Sequence, residues 1–164
     1  MGQVTIQAGD RLPNGEFTVM GESGPEPLST DALFAGKKVV LISVPGAFTP
    51  TCSARHLPGF LEQADAIFAT GVDTIAFTAV NDVHVMDAWG KDQGVGDKIK
   101  MLADGSAFYV RALGLDVDSS AFGMGVRGLR FAIIAEDGLA TDVVVDKPGT
   151  FELTGAEAVL ERLG

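Results

Sequence analysis

The chain holds a single cysteine, Cys52, and its neighbours belong to a reactive loop rather than to a core strand. The run Val44-Pro45-Gly46-Ala47-Phe48-Thr49-Pro50-Thr51-Cys52-Ser53 joins an apolar, strand-like stretch to a helix-like one. A thiol attacks as its thiolate. The first turn of a helix, with unpaired N–H groups and the positive end of its dipole, favours that anion. Burial as a small inert hydrophobe is the commoner fate of a lone cysteine. Here Thr49, Thr51 and Ser53 supply hydroxyls, Pro45 and Pro50 fix the backbone and Gly46 permits close approach, so redox or nucleophilic chemistry at Cys52 is the stronger reading.

Other residues offer weaker signals. His56 falls four residues after Cys52, on one helix face, which could suggest a Cys–His hydrolase pair. Such a pair also needs an orienting amide or carboxylate and an oxyanion hole, so a packing or interface role for His56 is preferred. Gly123-Met124-Gly125-Val126-Arg127-Gly128 matches a dinucleotide fingerprint in letters only, because a strand and not a helix is expected to follow it. Two histidines, His56 and His84, and one cysteine give no spacing that closes a metal site, and no cofactor is expected.

Pro45, Thr49 and Cys52 are spaced as Pro, three residues, Thr, two residues, Cys. This resembles the active-site loop of the peroxiredoxins. The run from Pro45 to Phe60, with Val80-Asn81-Asp82, Ala88-Trp89-Gly90-Lys91, Leu102-Ala103-Asp104 and Arg130-Phe131, extends the resemblance to the type II, peroxiredoxin-5-like group over nearly the whole chain. The resemblance implies a thiol peroxidase. In it the Cys52 thiolate attacks a peroxide oxygen, Thr49 accepts from and donates to the peroxide oxygens, Pro45 shields the thiolate from water, and Arg130 is the fixed cation. Spacing alone leaves Arg127 as a competing cation; the resemblance favours Arg130 and leaves Arg127 a supporting or surface residue.

Many relatives of this kind carry a second, resolving cysteine, and this chain has none. An internal disulfide is therefore impossible, and a Cys52 sulfenic acid needs an outside thiol to reduce it. Glutathione, glutaredoxin and thioredoxin are the reductants the resemblance implies. Glutathione, alone or with glutaredoxin, is preferred because a small thiol can enter a pocket sized for peroxides. The resemblance also implies a homodimer. A non-enzymatic redox sensor or holdase using the same thiol is the main alternative, and repeated turnover separates the two. A Cys-dependent hydrolase would show an acyl burst instead and would consume no peroxide.

Composition sets the frame. With 164 residues, 46% of them hydrophobic, the chain is expected to form one domain over residues 1–164 with a sizeable core. A net charge of −10 argues against nucleic acid or an anionic membrane surface as partner. Met1 to Ile6 shows neither a basic segment nor an apolar one, and the apolar runs are too short to span a bilayer, so the cytoplasm is the expected compartment.

The elements that must position these groups alternate between strand and helix, predicting an α/β, thioredoxin-like fold with a mixed central sheet flanked by helices. Strands are expected at residues 38–44, 73–80 and 130–135, and Glu136-Asp137-Gly138 should turn the last into an antiparallel partner at 139–145. Leu57, Phe60, Leu61, Ala64, Ile67 and Phe68 predict a helix over about 52–70, kinked at Pro58, with Cys52 in its first turn. Further helices are expected at 82–93 and at 154–162, the last with Thr154 and Glu157 as a capping box, while 14–27 should be surface strand and loop.

Overall fold

The computed structural model describes residues 5–163, with Cys52 described by its backbone alone. The reading of the first residues as free of a leader therefore falls largely outside the described residues. Seven strands form one mixed sheet. In chain order they are β1 (Glu16–Gly21), β2 (Gly24–Ser29), β3 (Lys38–Ser43), β4 (Thr74–Ala79), β5 (Lys100–Ala103), β8 (Arg130–Glu136) and β9 (Leu139–Asp146), arranged in space as β2-β1-β5-β4-β3-β8-β9. Strands β3, β4 and β5 are parallel, whereas β8 runs antiparallel to β3 and β9 antiparallel to β8. A separate ribbon pairs β6 (Asp116–Asp118) with β7 (Val126–Gly128). Thus the expected mixed α/β sheet is present, with β1, β2, β5 and the ribbon added to it.

Central position explains the composition of β3. Parallel β4 lies on one side of it and antiparallel β8 on the other, and helices cover both faces, so Val39, Val40, Leu41 and Ile42 are all fully buried. Alternation then divides them between two cores. Val40 and Ile42 meet α2 (Leu57–Ala69) and α3 (Val83–Gln93) through Leu57, Phe60, Ala64, Ile67, Met86 and Trp89; Val39 and Leu41 meet α1 (Thr30–Phe34) and α4 (Phe108–Leu113). A last helix, α5 (Ala156–Leu163), packs on α2. Truncating Phe60 to alanine should cost about 3–5 kcal/mol, as for any fully buried phenylalanine. The β8–β9 turn is tight as expected. Asp137 and Gly138, at φ +51° and +79°, form the two-residue loop, the mirror-image geometry that matches strand twist.

Two local expectations need correction. Pro58 does not kink an α-helix in mid-course. Instead the helical run continues unbroken from Pro50 to Ala69, and Cys52–His56 forms a turn of π-helix directly before Leu57 and Pro58. The wider turn takes up the irregularity that an interior proline would have imposed. Nor does Thr154 cap α5: its hydroxyl donates to Asp146 at 2.8 Å, and the helix begins two residues later at Ala156. A buried carboxylate had claimed the capping group.

Candidate active site

Beyond Ser43 the chain leaves the sheet under tight constraint. The Val44 N–H still bonds the carbonyl of Thr78 at 3.1 Å, and the Ala47 N–H donates to Asn81 Oδ1 at 2.9 Å. Gly46 is buried, and a Cβ there would stand 3.1 Å from Thr49 Cγ2 and 3.2 Å from Arg127 Nη1, so a larger residue would need these two side chains to shift. Phe48 holds a left-handed backbone at φ +64°, unusual for a bulky side chain, and is half exposed. The strain falls next to Thr49.

Thr49 opens the helix. Its carbonyl accepts from the Ser53 N–H at 2.9 Å, the first bond of the helical segment, and its hydroxyl donates to the Gly46 carbonyl at 2.7 Å. That proton is engaged, so the hydroxyl presents its lone pairs to an incoming O–H. Cys52 begins the π turn three residues on, and no acidic residue stands in that first turn. Ser53 Oγ accepts from Trp89 Nε1 at 3.0 Å, tying the turn to α3.

The late strand brings in the cations. Ser43 pairs with Phe131, so Arg130 starts β8 beside the exit of β3 toward Pro45. Arg130 is buried, and its Nη1 donates to His56 Nδ1 at 2.5 Å. Arg127 also reaches the loop. Its Nε donates to the Met124 carbonyl at 2.9 Å and its Nη1 to that of Pro45 at 3.4 Å, so it clamps the loop rather than lying free on the surface. Thus Pro45, Thr49, the start of the Cys52 turn and Arg130 all lie beyond the C-terminal end of β3, where β8 begins.

His56 proves to be more than packing. It is fully buried, its Nε2 lies 2.8 Å from the Thr154 carbonyl, and its ring touches those of Phe60, Phe77 and Phe151. Burial, then the charge of Arg130, lowers its pKa to about 3. Of Asp146, Phe151 and Thr154, which surround this group, only Thr154 carries a sequence signal, and that is of a helix cap. They lie 90 residues or more along the chain from His56, and no motif joins them. Among the described residues no cluster of histidine, cysteine and acidic side chains could hold a metal ion, and no helix is long and apolar enough to cross a membrane.

Two hollows differ in position. One of about 660 Å³ runs between α2 and α5 past Arg55, Pro58, Glu62, Phe151 and Glu161, next to the π turn. The larger, about 920 Å³, lies where β1 and β5 meet α3, far from the π turn, and neither hollow is lined by Pro45, Thr49 or Arg130.

A thioredoxin-like sheet with one cysteine at the opening of a helix, in a π turn whose His56 meets a buried arginine, fits a thiol peroxidase scaffold. Comparison with known proteins agrees. The redoxin family pattern matches residues 7–160. Peroxiredoxin-2C of Oryza sativa subsp. japonica is 45% identical over 159 residues, covering 96% of this chain and 98% of that one. Among solved structures, reduced Prx3 of Vibrio vulnificus in complex with H2O2 is 46% identical at a TM-score of 0.94, covering 98% of this chain and all of the other. Peroxiredoxin 5 of Alvinella pompejana is 35% identical at a TM-score of 0.83, covering 96% and 97%. The chain belongs to the redoxin family, as a one-cysteine peroxiredoxin of the type II, peroxiredoxin-5-like group. It is a peroxidase oxidoreductase that depends on thiol.

Proposed function

We propose that the chain reduces hydrogen peroxide and alkyl hydroperoxides through a sulfenic acid on Cys52, and that glutathione, alone or with glutaredoxin, returns the enzyme to thiol. The observation that carries this is the lone cysteine at the start of a π turn whose helical N–H groups no acidic side chain fills. The Cys52 sulfur attacks one peroxide oxygen, the O–O bond breaks, and the leaving oxygen takes a proton and departs as water or an alcohol. Arg130 favours the thiolate and the negative charge that grows on the leaving oxygen. Thr49 receives the peroxide O–H through its lone pairs, and Pro45 keeps water from the sulfur. One glutathione then condenses with the sulfenic acid, releasing water and forming a mixed disulfide; a second thiol attacks that disulfide and frees Cys52. The hollow beside Arg55 and Phe151 gives a small thiol room to approach.

The same reading extends to assembly and place. Phe48 and Phe122 are exposed, and the loops that carry them meet where Met124 Cε comes within 3.7 Å of a Cβ position on Gly46. A second copy of the chain, forming a homodimer, would cover these rings; sedimentation of wild type against Phe122→Ser reads the outcome. The chain would work in the cytoplasm, where other thiols are held reduced and a one-cysteine cycle finds electrons.

The test is chemical. Peroxide should be consumed for many turnovers only when thiol is supplied, and intact mass after one equivalent of peroxide plus glutathione should show one glutathione adduct on Cys52. A single stoichiometric oxidation with thiol present would point to a sensor. No adduct, with full turnover on thioredoxin alone, would overturn the choice of reductant.

A further inference from the structure

The His56 ring is held from both ends by groups that leave it no choice of tautomer. A carbonyl only accepts, so Nε2, 2.8 Å from the Thr154 oxygen, carries the ring proton. A guanidinium only donates, so Nδ1 offers its lone pair to Arg130 Nη1. The ring is therefore neutral. Burial and the charge of Arg130 keep it so.

The Thr154 carbonyl is itself fixed. Asp146, buried at the end of β9, accepts from the Glu152 and Leu153 N–H groups at 3.1 and 2.9 Å through Oδ1, and from the Thr154 N–H and hydroxyl at 3.2 and 2.8 Å through Oδ2. Asp146 is also the register partner of Arg130 across β8 and β9. The contacts close into a ring: Arg130 to His56, His56 to the Thr154 turn, the turn to Asp146, and Asp146 back across the sheet to Arg130. Phe151, in the same turn, lies with its centroid 4.8 Å from that of His56 and 5.5 Å from Arg130 Cζ.

We infer that His56 is a positioning residue for Arg130, and that the Asp146–Thr154 turn sets the angle at which His56 holds it. The inference rests on the reading above, in which Arg130 acts on Cys52 and its peroxide. Fixing an arginine side chain costs rotamer entropy, and a donor aimed at developing charge works only if it is aimed in advance. A carboxylate could hold the guanidinium, but it would cancel much of the field that the thiolate feels. A neutral imidazole takes one N–H and leaves the full positive charge. The carboxylate of Asp146, the register partner of Arg130, is occupied by four donors from its own turn. This also explains why His56 and Cys52 share one π turn: the segment that presents the nucleophile also presents the acceptor that aims the cation.

The experiment is a double-mutant cycle read by two signals, the second-order rate constant for hydrogen peroxide and the pH dependence of Cys52 alkylation, with thermal unfolding as a control. His56→Leu should slow peroxide reduction by between about tenfold and 10²-fold, the range expected when a group is misplaced by about 1 Å, and should raise the pH at which Cys52 becomes reactive. In an Arg130→Gln background the same change should cost less than about twofold, because the residue it aims is gone. His56→Asn, whose Oδ1 can stand where Nδ1 stood, should recover most of the rate, and Asp146→Asn should fall between wild type and His56→Leu. A folded His56→Leu protein with the wild-type alkylation profile and rate would overturn the proposal, as would equal losses in both backgrounds. If His56→Leu does not fold, the amide pair decides: His56→Asn must outperform His56→Gln, and the reverse order overturns the proposal. Arg130→Gln with wild-type rate and alkylation profile would instead overturn the reading of Arg130, and the proposal with it.

Discussion

Two helices begin at the same end of the sheet, one after β3 and one after the adjacent parallel strand β4, and their openings differ. At α3, Asp82 accepts from the Val85 N–H at 2.9 Å, placing a carboxylate where the helix has unpaired donors and a positive dipole end. At the helical segment that opens with Thr49, the side chain turns away from the helix to donate to Gly46, no acid follows in the first turn, and Cys52 starts a π turn. One helix start spends its field on its own cap. The other leaves it for an anion, which by the reading above is the Cys52 thiolate. The regular helix also braces the irregular one, through Asn81 on the Ala47 N–H and Trp89 on Ser53.

If that contrast is right, chemistry should be sensitive at the first opening and indifferent at the second. Cys52→Ser is the largest break. It should reduce peroxide turnover by at least about 10³-fold, since a hydroxyl is far too weak a nucleophile, while thermal unfolding stays close to wild type. Activity within tenfold of wild type would remove Cys52 from the mechanism. Arg130→Gln should cost about 10²- to 10³-fold and raise the pH at which Cys52 alkylates, whereas Arg127→Gln, which loosens the Pro45 carbonyl without touching the charge beside His56, should cost roughly tenfold or less. Were Arg127→Gln the more damaging, the catalytic cation would have to be moved there.

Thr49 allows the two helix starts to be made alike. Thr49→Val removes the hydroxyl and should slow peroxide reduction by about 10²-fold with little change in the alkylation profile of Cys52. Thr49→Asp removes it too, but gives this helix the acidic cap that α3 has. The same rate loss should then be joined by a shift of Cys52 reactivity to higher pH, because the carboxylate competes with the thiolate for the same field. Identical alkylation profiles for the two variants would mean that the uncapped helix end contributes nothing to the thiol.

Much of this arrangement was legible in the chain, and what was not shares one physical cause. The β3 run, the apolar stripe of α2 and the Asp137-Gly138 turn are local patterns, fixed by period and by turn chemistry, so they read directly. Pro45, Thr49 and Cys52 lie within eight residues and read as a motif. The π turn did not, because Pro58 signals only that a normal helix must fail, and surrounding packing decides whether it kinks or widens. For His56 the sequence points only to packing or an interface, because its partners, Arg130 and Thr154, are brought to it by the pairing of β8 with β9. Thr154 reads as a cap for the same reason: its hydroxyl answers to Asp146.

Acid should expose the cost of burying His56 neutral. The unfolded chain takes up a proton on this ring near pH 6.5, and the folded one only near pH 3, held down by burial and by Arg130 with Asp146 opposing. Between those values the unfolded state binds more protons, so stability is fully present above about pH 6.5 and is lost as pH falls, with a slope of up to about 1.4 kcal/mol per pH unit. Urea midpoints from pH 7 to pH 4 should show this slope in wild type and a shallower one in His56→Asn. Parallel curves would mean that the ring is charged in the folded state, which the geometry at Arg130 forbids.

The smallest effect should come from the other helix start. Asp82→Ala leaves the first N–H groups of α3 without their acceptor, and losing such a cap costs about 1 kcal/mol, or roughly 2–4 °C in the melting temperature of a chain of this size. The peroxide rate constant should stay within about twofold of wild type, because the Asp82 carboxylate bonds the N–H of its own helix and the brace to the loop is made by Asn81 and Trp89. A tenfold loss of rate with an unchanged melting temperature would reverse the contrast, making the α3 cap part of the chemistry. Stability and rate measured on this one variant therefore show whether the two openings do different work or one acts through the other.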